Sequence, residues 1–315
     1  MRVLIVGAGA IGSVLGGFLA KAGHDVTLLG RAWHLETVKR QGLRITGLWG
    51  EHTVRMAAVT SREELRGAAP FDWVFVCVKA HQTAEAAGWL PEVMGPQTRL
   101  CAFQNGLCNY ETLCRSVAPE RVALGRVIFG VELQPGSVRV TVCADDVLIG
   151  APDARFARQR LVELAAALQE SGIPARVTAS ILTDLWAKVL YNCALNGLST
   201  VLEVAYGKLL EHPAAVRVME AVIDEAYRTA DARGIALTPS RAPAYRELLF
   251  TRLITVTAAH CSSMLQDVRR GRPTEIESLN GAIARMAAEA WTAAPMNALV
   301  TRLVHAKERF AGTGN

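Results

Sequence analysis

Apolar residues follow two rhythms along this chain. Up to about residue 178, short unbroken apolar runs alternate with helix-length segments; beyond it only helical periods remain. Val3-Leu4-Ile5-Val6 is a β-branched-rich run with the length of a strand buried on both faces. A helical pattern follows to Ala22, where Gly23 and the turn residues His24-Asp25 stop it, and Val26-Thr27-Leu28-Leu29 forms the next strand. Further strands are predicted over 54–60, 73–78, 98–103 and 175–177, with helices over 62–68, 82–90 and 153–171. Two longer runs, 122–133 and 137–150, flank Gln134-Pro135-Gly136 and predict a strand pair joined by a turn. Helical periods then cover 180–210, 213–233, 240–270 and 274–310, with Gly and Pro between them. The pattern predicts an N-terminal α/β domain over 1–178 and an all-helical C-terminal domain over 179–315.

The first strand runs straight into Gly7-Ala8-Gly9-Ala10-Ile11-Gly12, a G-x-G-x-x-G that opens the first helix. A complete β-α-β unit of about thirty residues surrounds it, and that context makes the motif a Rossmann-type dinucleotide site. Gly7 permits the tight turn, Gly9 lets a pyrophosphate reach the backbone, and Gly12 lets the helix lie close on the sheet. The N–H groups of the helix start would then hold the phosphates. The competing reading is a glycine-rich turn that only packs tightly.

The end of the second strand selects the dinucleotide. NAD binding calls for an acid there, about twenty residues past the fingerprint, to accept from the ribose 2′-hydroxyl. The chain has Leu29-Gly30-Arg31 instead; Asp25 comes before the strand and Glu36 well after it. An arginine suits a 2′-phosphate, so the expected cofactor is NADP(H), against the alternative of a solvated surface Arg31. Lys79 and Asn105 stand at the ends of later strands, where ligands sit in open α/β sheets.

Composition narrows the partners. Of 315 residues 51% are hydrophobic, enough for a sizeable core, and the net charge is only +5 with no long basic run. That balance suits a small anionic ligand and excludes a nucleic-acid track. The cysteines number seven, an odd count without C-x-x-C, which points to reduced cytosolic thiols rather than bridges or a metal site. The uncharged stretch from Val3 to Ala20 has the hydropathy of a signal peptide or membrane span, but its glycines make a poor apolar helix. With a strand starting at residue 2 there is no room for a cleavable leader, so a cytoplasmic protein with no membrane partner is expected. The long apolar helices of the second domain fit an intramolecular core or a homodimer interface equally well.

On the helix starting near Ser180, Leu182, Leu185, Trp186, Val189, Leu190 and Cys193 share one face. Asp184, Lys188, Asn192, Asn196 and Ser199 fall on a neighbouring one. The ordinary reading of such a stripe is a solvent face. Asparagine is a mediocre helix former, however, and two of them in register with a lysine suggest a polar wall facing a ligand. His260 to Asp267 is a second candidate, in a helix ending at Gly271-Arg272-Pro273. Thr274 and Glu277 are spaced as a capping box opening the last helix, and an acid such as Glu275 is at home in a first turn. Ser263 reads equally as a plain helix serine. No zinc spacing, no G-x-S-x-G and no Cys–His signature occurs, so the chemistry falls to a cofactor, with side chains polarising the substrate.

With these motifs the chain resembles the ketopantoate reductase (2-dehydropantoate 2-reductase) family from end to end. They are GAGAIGS at the start, VKAHQ around Lys79, QNG at Asn105, LWAKVLYNCALNGLS around Lys188, and SSMLQDVRRGRPTEIESLNG from Ser262 to Gly281. The resemblance implies reduction of 2-ketopantoate to pantoate with NADPH, on the route to pantothenate and coenzyme A. It implies that Lys188 hydrogen-bonds the ketone and supplies the proton, and that Glu275 supports this geometry. Ser263 would bind the substrate carboxylate, Asn192 and Asn196 would line the pocket, and Asn105 would lie between nicotinamide and substrate. Lys79 and Arg31 would contact the cofactor, Arg31 at the 2′-phosphate.

Two positions depart from the family pattern: His260 and Tyr206 stand where asparagines are usual. His260 is expected either to donate to the same substrate oxygen or to shape a different pocket. Two rivals therefore stay open. One is a sister enzyme reducing another 2-oxoacid; the other is a non-catalytic NADP(H)-binding sensor, against which the Lys188–Glu275–Ser263 set speaks.

Overall fold

In the computed structural model, which describes residues 1–68 and 70–312, the apolar runs become strands of two separate sheets. In chain order the strands are β1 (Arg2–Val6), β2 (Asp25–Leu29), β3 (Leu43–Gly47), β4 (His52–Val54), β5 (Ala57–Val59) and β6 (Trp73–Val76). They continue as β7 (Arg99–Ala102), β8 (Val122–Arg126), β9 (Phe129–Gln134), β10 (Ser137–Cys143), β11 (Val147–Gly150) and β12 (Ala175–Val177). The larger sheet runs β12-β11-β8-β7-β6-β1-β2-β5 and the smaller β4-β3-β10-β9. In the larger sheet every pairing is parallel except β8 with β11. From β1 the chain builds outward to β2 and β5, then returns beside β1 and builds the other way through β6, β7 and β8. The reversal between β1 and β6 is the switch point at which such sheets bind ligands.

The helices of this part are α1 (Ala10–Lys21), α2 (Ala32–Gln41), α3 (Thr83–Trp89), α4 (Asn109–Leu113) and α5 (Arg158–Ser171). Helix α1 lies between the two sheets. A Cβ added at Gly16 would fall 2.6 Å from Leu28 Cδ2 in the larger sheet, and one at Gly17 2.6 Å from Ile45 Cδ1 in the smaller. The sequence predicts one strand over 54–60, but β4 and β5 are two strands in different sheets. The predicted pair 122–133/137–150 likewise divides. Strands β9 and β10 form the hairpin, with the turn at Gln134-Pro135-Gly136, while β8 and β11 pair in the larger sheet. The helix expected over 62–68 is a 3₁₀ turn, Arg62–Leu65.

The second part is helical: α6 (Ile181–Leu202), α7 (Tyr206–Leu209), α8 (Pro213–Ala232), α9 (Ala242–Leu248), α10 (Ile254–Val256), α11 (Ser263–Arg269), α12 (Asn280–Glu289) and α13 (Pro295–Gly312). Its core gathers Trp186, Leu190, Leu195, Met219, Ile223, Ile276, Ile283 and Val304. A buried polar cluster holds the helices in register. Asn280 Nδ2 donates to Cys193 O on α6 (3.1 Å) and to Asn297 Oδ1 on α13 (3.0 Å). Glu225 on α8 accepts from the backbone N–H groups of Met296 and Asn297 and so caps α13 from a distance.

Helix is predicted without interruption over 240–270, whereas α9 passes through a π-helical turn (Leu249–Leu253) into α10 and then stops. Thr257 to Ser262 are non-helical, so His260 sits in a link rather than on a helix. The break has a tertiary cause: Tyr206 N donates to His260 O (3.1 Å) and Gly207 N to Ala258 O (2.9 Å), drawing this backbone onto α7.

The capping box at Thr274 and Glu277 does not form. Ile276–Ser278 is a 3₁₀ turn, and Glu277 bonds Arg285 and His305 instead. Contacts within the chain define two compact units. One comprises Met1–Gln104 and Asn109–Ile181; the other comprises Asn105–Cys108 and the chain from Leu182 onward. Asn105, which the sequence places in the first domain, therefore packs with the second. Among the described residues no helix is long and apolar enough to cross a membrane, and no cluster of His, Cys, Asp or Glu is fit to hold a metal.

Candidate active site

Within the first unit, the backbone after β1 turns sharply at Gly7, whose φ of 102° lies in the left-handed region. A side chain is excluded there on two counts, since a Cβ would also fall 2.6 Å from Val78 N. That contact brings the exits of β1 and β6 together at the switch point, one residue before Lys79. Gly7 N and Ala8 N both donate to Leu29 O (3.0 and 2.8 Å), fixing the turn to the end of β2. Gly9 is the N-cap of α1 and offers no side chain, and nothing lies within 4 Å of where its Cβ would be. At Gly12 the reverse holds: a Cβ would meet Gly7 O at 2.3 Å. An open approach at Gly9, above the first N–H groups of α1 at Ala10, Ile11 and Gly12, which have no partner among the described residues, fits the pyrophosphate of a dinucleotide.

Arg31 is the N-cap residue of α2 and its side chain is exposed. Gly30 before it lies against Ala8, where a Cβ would come within 2.9 Å of the alanine methyl, so Arg31 borders the phosphate turn. Lys79, half-buried, begins the 3₁₀ turn Ala80–Gln82 just past β6.

Within the second unit, α6 carries Lys188, and the short segment Asn105–Cys108 lies against the Ile276–Ser278 turn. Gly106 (φ 85°) makes that approach: a Cβ on it would fall 2.5 Å from Ser278, and Leu107 N donates to Ser278 O (2.9 Å). Asn105 is thereby held between Lys188 and Glu275. Lys188 Nζ donates to Asn105 Oδ1 at 2.5 Å, and Asn105 Nδ2 donates to Glu275 Oε2 at 3.0 Å. Lys188, Asn105 and Glu275 come from segments far apart in sequence, and the fold joins them into one hydrogen-bonded chain.

Asn192 and Asn196 follow Lys188 by one and two turns of α6. Asn196 is buried and accepts a 2.6 Å bond from the Tyr206 hydroxyl. Burial pushes the Tyr206 phenol far above its usual range, so the hydroxyl stays protonated and donates. Tyr206 packs edge-on against Tyr191 and tilted against the His260 ring, with centroids 5.9 and 5.2 Å apart. His260 remains solvent-exposed, and partial desolvation holds its imidazole below the ordinary value. Ser263 is exposed on the first residue of α11, whereas its neighbour Ser262 is the buried N-cap, accepting from Leu265 N at 3.0 Å.

Asn105, expected at a strand end between nicotinamide and substrate, bonds Lys188 and Glu275 through its side chain. Sequence reasoning missed the contribution of α13, whose His305, Lys307 and Glu308 have no motif to mark them. The only available signal was their charged i, i+3 spacing beside an otherwise apolar helix face.

A glycine-rich turn at the switch point of a Rossmann-type sheet, with a lysine–amide–carboxylate chain on helical elements, defines a dinucleotide-dependent oxidoreductase. The chain belongs to the ketopantoate reductase family: residues 3–154 match "Ketopantoate reductase PanE/ApbA" and residues 180–308 its C-terminal counterpart. It is 38% identical over 98% of both chains to the 2-dehydropantoate 2-reductase of Aquifex aeolicus. A PanE/ApbA family ketopantoate reductase from Ralstonia eutropha JMP134 superposes with a TM-score of 0.88 at 31% identity, covering 99% of this chain and all of that one. A D-mandelate dehydrogenase in ternary complex with NADH and anilino(oxo)acetate superposes with a TM-score of 0.87 at 27% identity over the whole of both chains.

Proposed function

We propose that the protein reduces 2-ketopantoate to pantoate with NADPH, the N-terminal domain over 1–178 holding the cofactor and the helical unit the substrate. The observation that carries this reading is the Lys188–Asn105–Glu275 chain. Bound NADPH supplies a hydride to the ketone carbon. As charge gathers on the ketone oxygen, the Lys188 ammonium stabilises it and then protonates it. Asn105 accepts from that ammonium and donates to Glu275, so the carboxylate orients the lysine through the amide. Ser263, whose hydroxyl has no partner among the described residues, is suited to the substrate carboxylate. Asn192 completes the polar wall. Asn196, with its oxygen engaged by Tyr206, has its N–H groups to offer. Gly7 to Gly12 and Lys79 serve the pyrophosphate side, and Arg31 the 2′-phosphate. The Arg31 assignment predicts preference for NADPH, unlike the NADH-bound mandelate enzyme.

A second reading, reduction of another 2-oxoacid, is favoured by one observation: Tyr206 bonds Asn196 and packs, tilted, against His260, where an asparagine pair would leave a more open polar wall. Steady-state assays of purified protein with a panel of 2-oxoacids separate the two. The first reading expects ketopantoate to have the highest kcat/KM; a bulkier acid in first place replaces it with the second. The sensor alternative requires no turnover with any of them. A homodimer, soluble in the cytoplasm, is the form we propose for the enzyme.

A further inference from the structure

Glu275 lies in a segment with little regular structure of its own. The turn that follows it is three residues long, and its local ties are few: Ile276 N donates to Thr274 Oγ1 at 3.3 Å, and Ser278 Oγ to Glu275 O at 2.9 Å. Short 3₁₀ pieces have poor hydrogen-bond geometry and depend on their surroundings. Besides the Asn105–Cys108 segment at Ser278, the surroundings that fix this one come from the last turns of α13. Glu308 Oε1 accepts from Thr274 N at 2.7 Å, on the entry side of Glu275. On the exit side, Glu277 Oε1 meets His305 Nε2 at 2.8 Å, and the same imidazole meets Glu308 Oε2 through Nδ1 at 2.8 Å. Arg285 of α12 completes the set, bonding the Glu277 carboxylate and donating to Glu277 O at 2.7 Å. Thr274 and Glu277 are thus tied to one helix face, with Glu275 between them.

One turn-neighbour on α13 reaches the other catalytic element. Lys307 Nζ donates to Val201 O (3.2 Å) and pairs with Glu203 (2.6 Å) at the carboxyl end of α6, the helix that carries Lys188. A cation is favoured at a helix C-terminus by the exposed carbonyls and the dipole.

We infer that the end of α13 is a brace that sets Glu275 relative to Lys188, with Glu308 and His305 as positioning residues for Glu275 and Lys307 as one for α6. None of them touches substrate or cofactor in this scheme; they act through Glu275, Asn105 and Lys188. The inference rests on the catalytic roles proposed above for those residues.

The test compares Glu308→Ala, Glu308→Gln and His305→Gln in the full-length protein, with Arg233→Ala as a control that breaks only an exposed pair with Glu289. Misplacement of a catalytic group by about 1 Å costs up to about 100-fold in rate. Glu308→Ala is expected to lower kcat about 10- to 100-fold while KM and NADPH affinity stay within about twofold. Glu308→Gln keeps an acceptor for Thr274 N and restores most of the loss; Arg233→Ala leaves kcat at the wild-type value. Far-UV circular dichroism at the assay temperature confirms that the compared variants are folded. Should Glu308→Ala not fold, His305→Gln, at a half-buried position, carries the same expectation of a fall in kcat alone. Wild-type kcat in the folded variants overturns the brace, as does equal damage in Glu308→Ala and Glu308→Gln. Lys188→Ala is run alongside: full activity in that variant defeats the catalytic reading itself, whereas an inactive Lys188→Ala with a fully active Glu308→Ala defeats only the brace.

Discussion

Lys188 donates a hydrogen bond to Asn105 Oδ1, and the amide nitrogen of the same side chain bonds Glu275. A neutral amide between ammonium and carboxylate passes orientation from one to the other without transferring a proton. It also keeps an acceptor on the lysine that an incoming ketone oxygen can complement.

Lys188→Ala is expected to reduce kcat by about 10²- to 10⁴-fold, the usual contribution of a positioned general acid. NADPH should still bind, as read by quenching of intrinsic fluorescence or by calorimetry. Near-normal turnover would remove Lys188 from the chemistry.

Asn105→Ala and Glu275→Gln should each lower kcat, and the double variant should lose much less than the product of the two. Residues acting through one hydrogen-bonded chain are coupled. Strictly multiplicative losses in such a double-mutant cycle would show that Glu275 does not work through Asn105.

Tyr206→Phe strips the donor from a buried acceptor, Asn196 Oδ1. Leaving a buried polar group unsatisfied costs about 1–3 kcal/mol, so the midpoint of urea unfolding should fall. Freed from Tyr206, Asn196 can reorient, and KM for the 2-oxoacid should shift more than KM for NADPH. An unchanged unfolding midpoint would mean that water replaces the hydroxyl without loss.

Arg31→Ala should weaken NADPH at least tenfold while leaving NADH nearly unaffected, because only the former carries the 2′-phosphate. Titrations of both cofactors into the variant decide it; equal losses would place Arg31 away from the phosphate.

Two histidines should shape stability against pH in opposite directions. His34, buried on α2 beside Ser13 Oγ (3.0 Å) and the backbone of the β9–β10 turn, is held below its ordinary value chiefly by desolvation. The unfolded chain takes up its proton first, so His34 supports the fold above about pH 6.5 and that support is lost as the pH falls. His305 is raised, first by its bond to Glu277 and further by Glu308. Its contribution is complete below about pH 6.5 and disappears as the pH climbs through the raised value. Melting curves from pH 5 to 9 should therefore lose part of their acid slope in His34→Gln and part of their alkaline slope in His305→Gln. An unaltered profile in either variant would refute its assignment.

Much of this was written in local pattern. The run Val3–Val6 with its glycines specified β1, the turn and α1, and the stripe Lys188–Asn192–Asn196 specified the polar face of α6. What local pattern could not carry was partnership across distance. The residues of β3 and β4 read weakly alone because their partners are elsewhere in the chain or in a short hairpin. Continuous apolar runs such as 122–133 hid the step from one sheet to the other. The helix break at Thr257 to Ser262 contains no Gly or Pro; it exists because α7 offers N–H groups to Ala258 O and His260 O. Asn105 follows a strand of the first unit, yet the close approach of Gly106 to Ser278 binds it to the second. Glu225 illustrates the same limit, since a cap supplied by another helix leaves no mark beside the helix it caps.

The smaller sheet has a consequence for how the molecule assembles. Strands β3 and β10 pair in parallel with Ile45 opposite Val138, so a loop of about ninety residues must close before that ladder can form. Four of the eight strands of the larger sheet, β5 to β8, lie within that loop, and β1 and β2 precede it. The larger sheet and α1 therefore come together first, and the outer wall that seals the Gly17 side of α1 arrives last. Until then the helix that begins the phosphate turn is docked on one side only, and pulse-labelled amides of β3 and β10 should be the last of the sheet amides to gain protection during refolding.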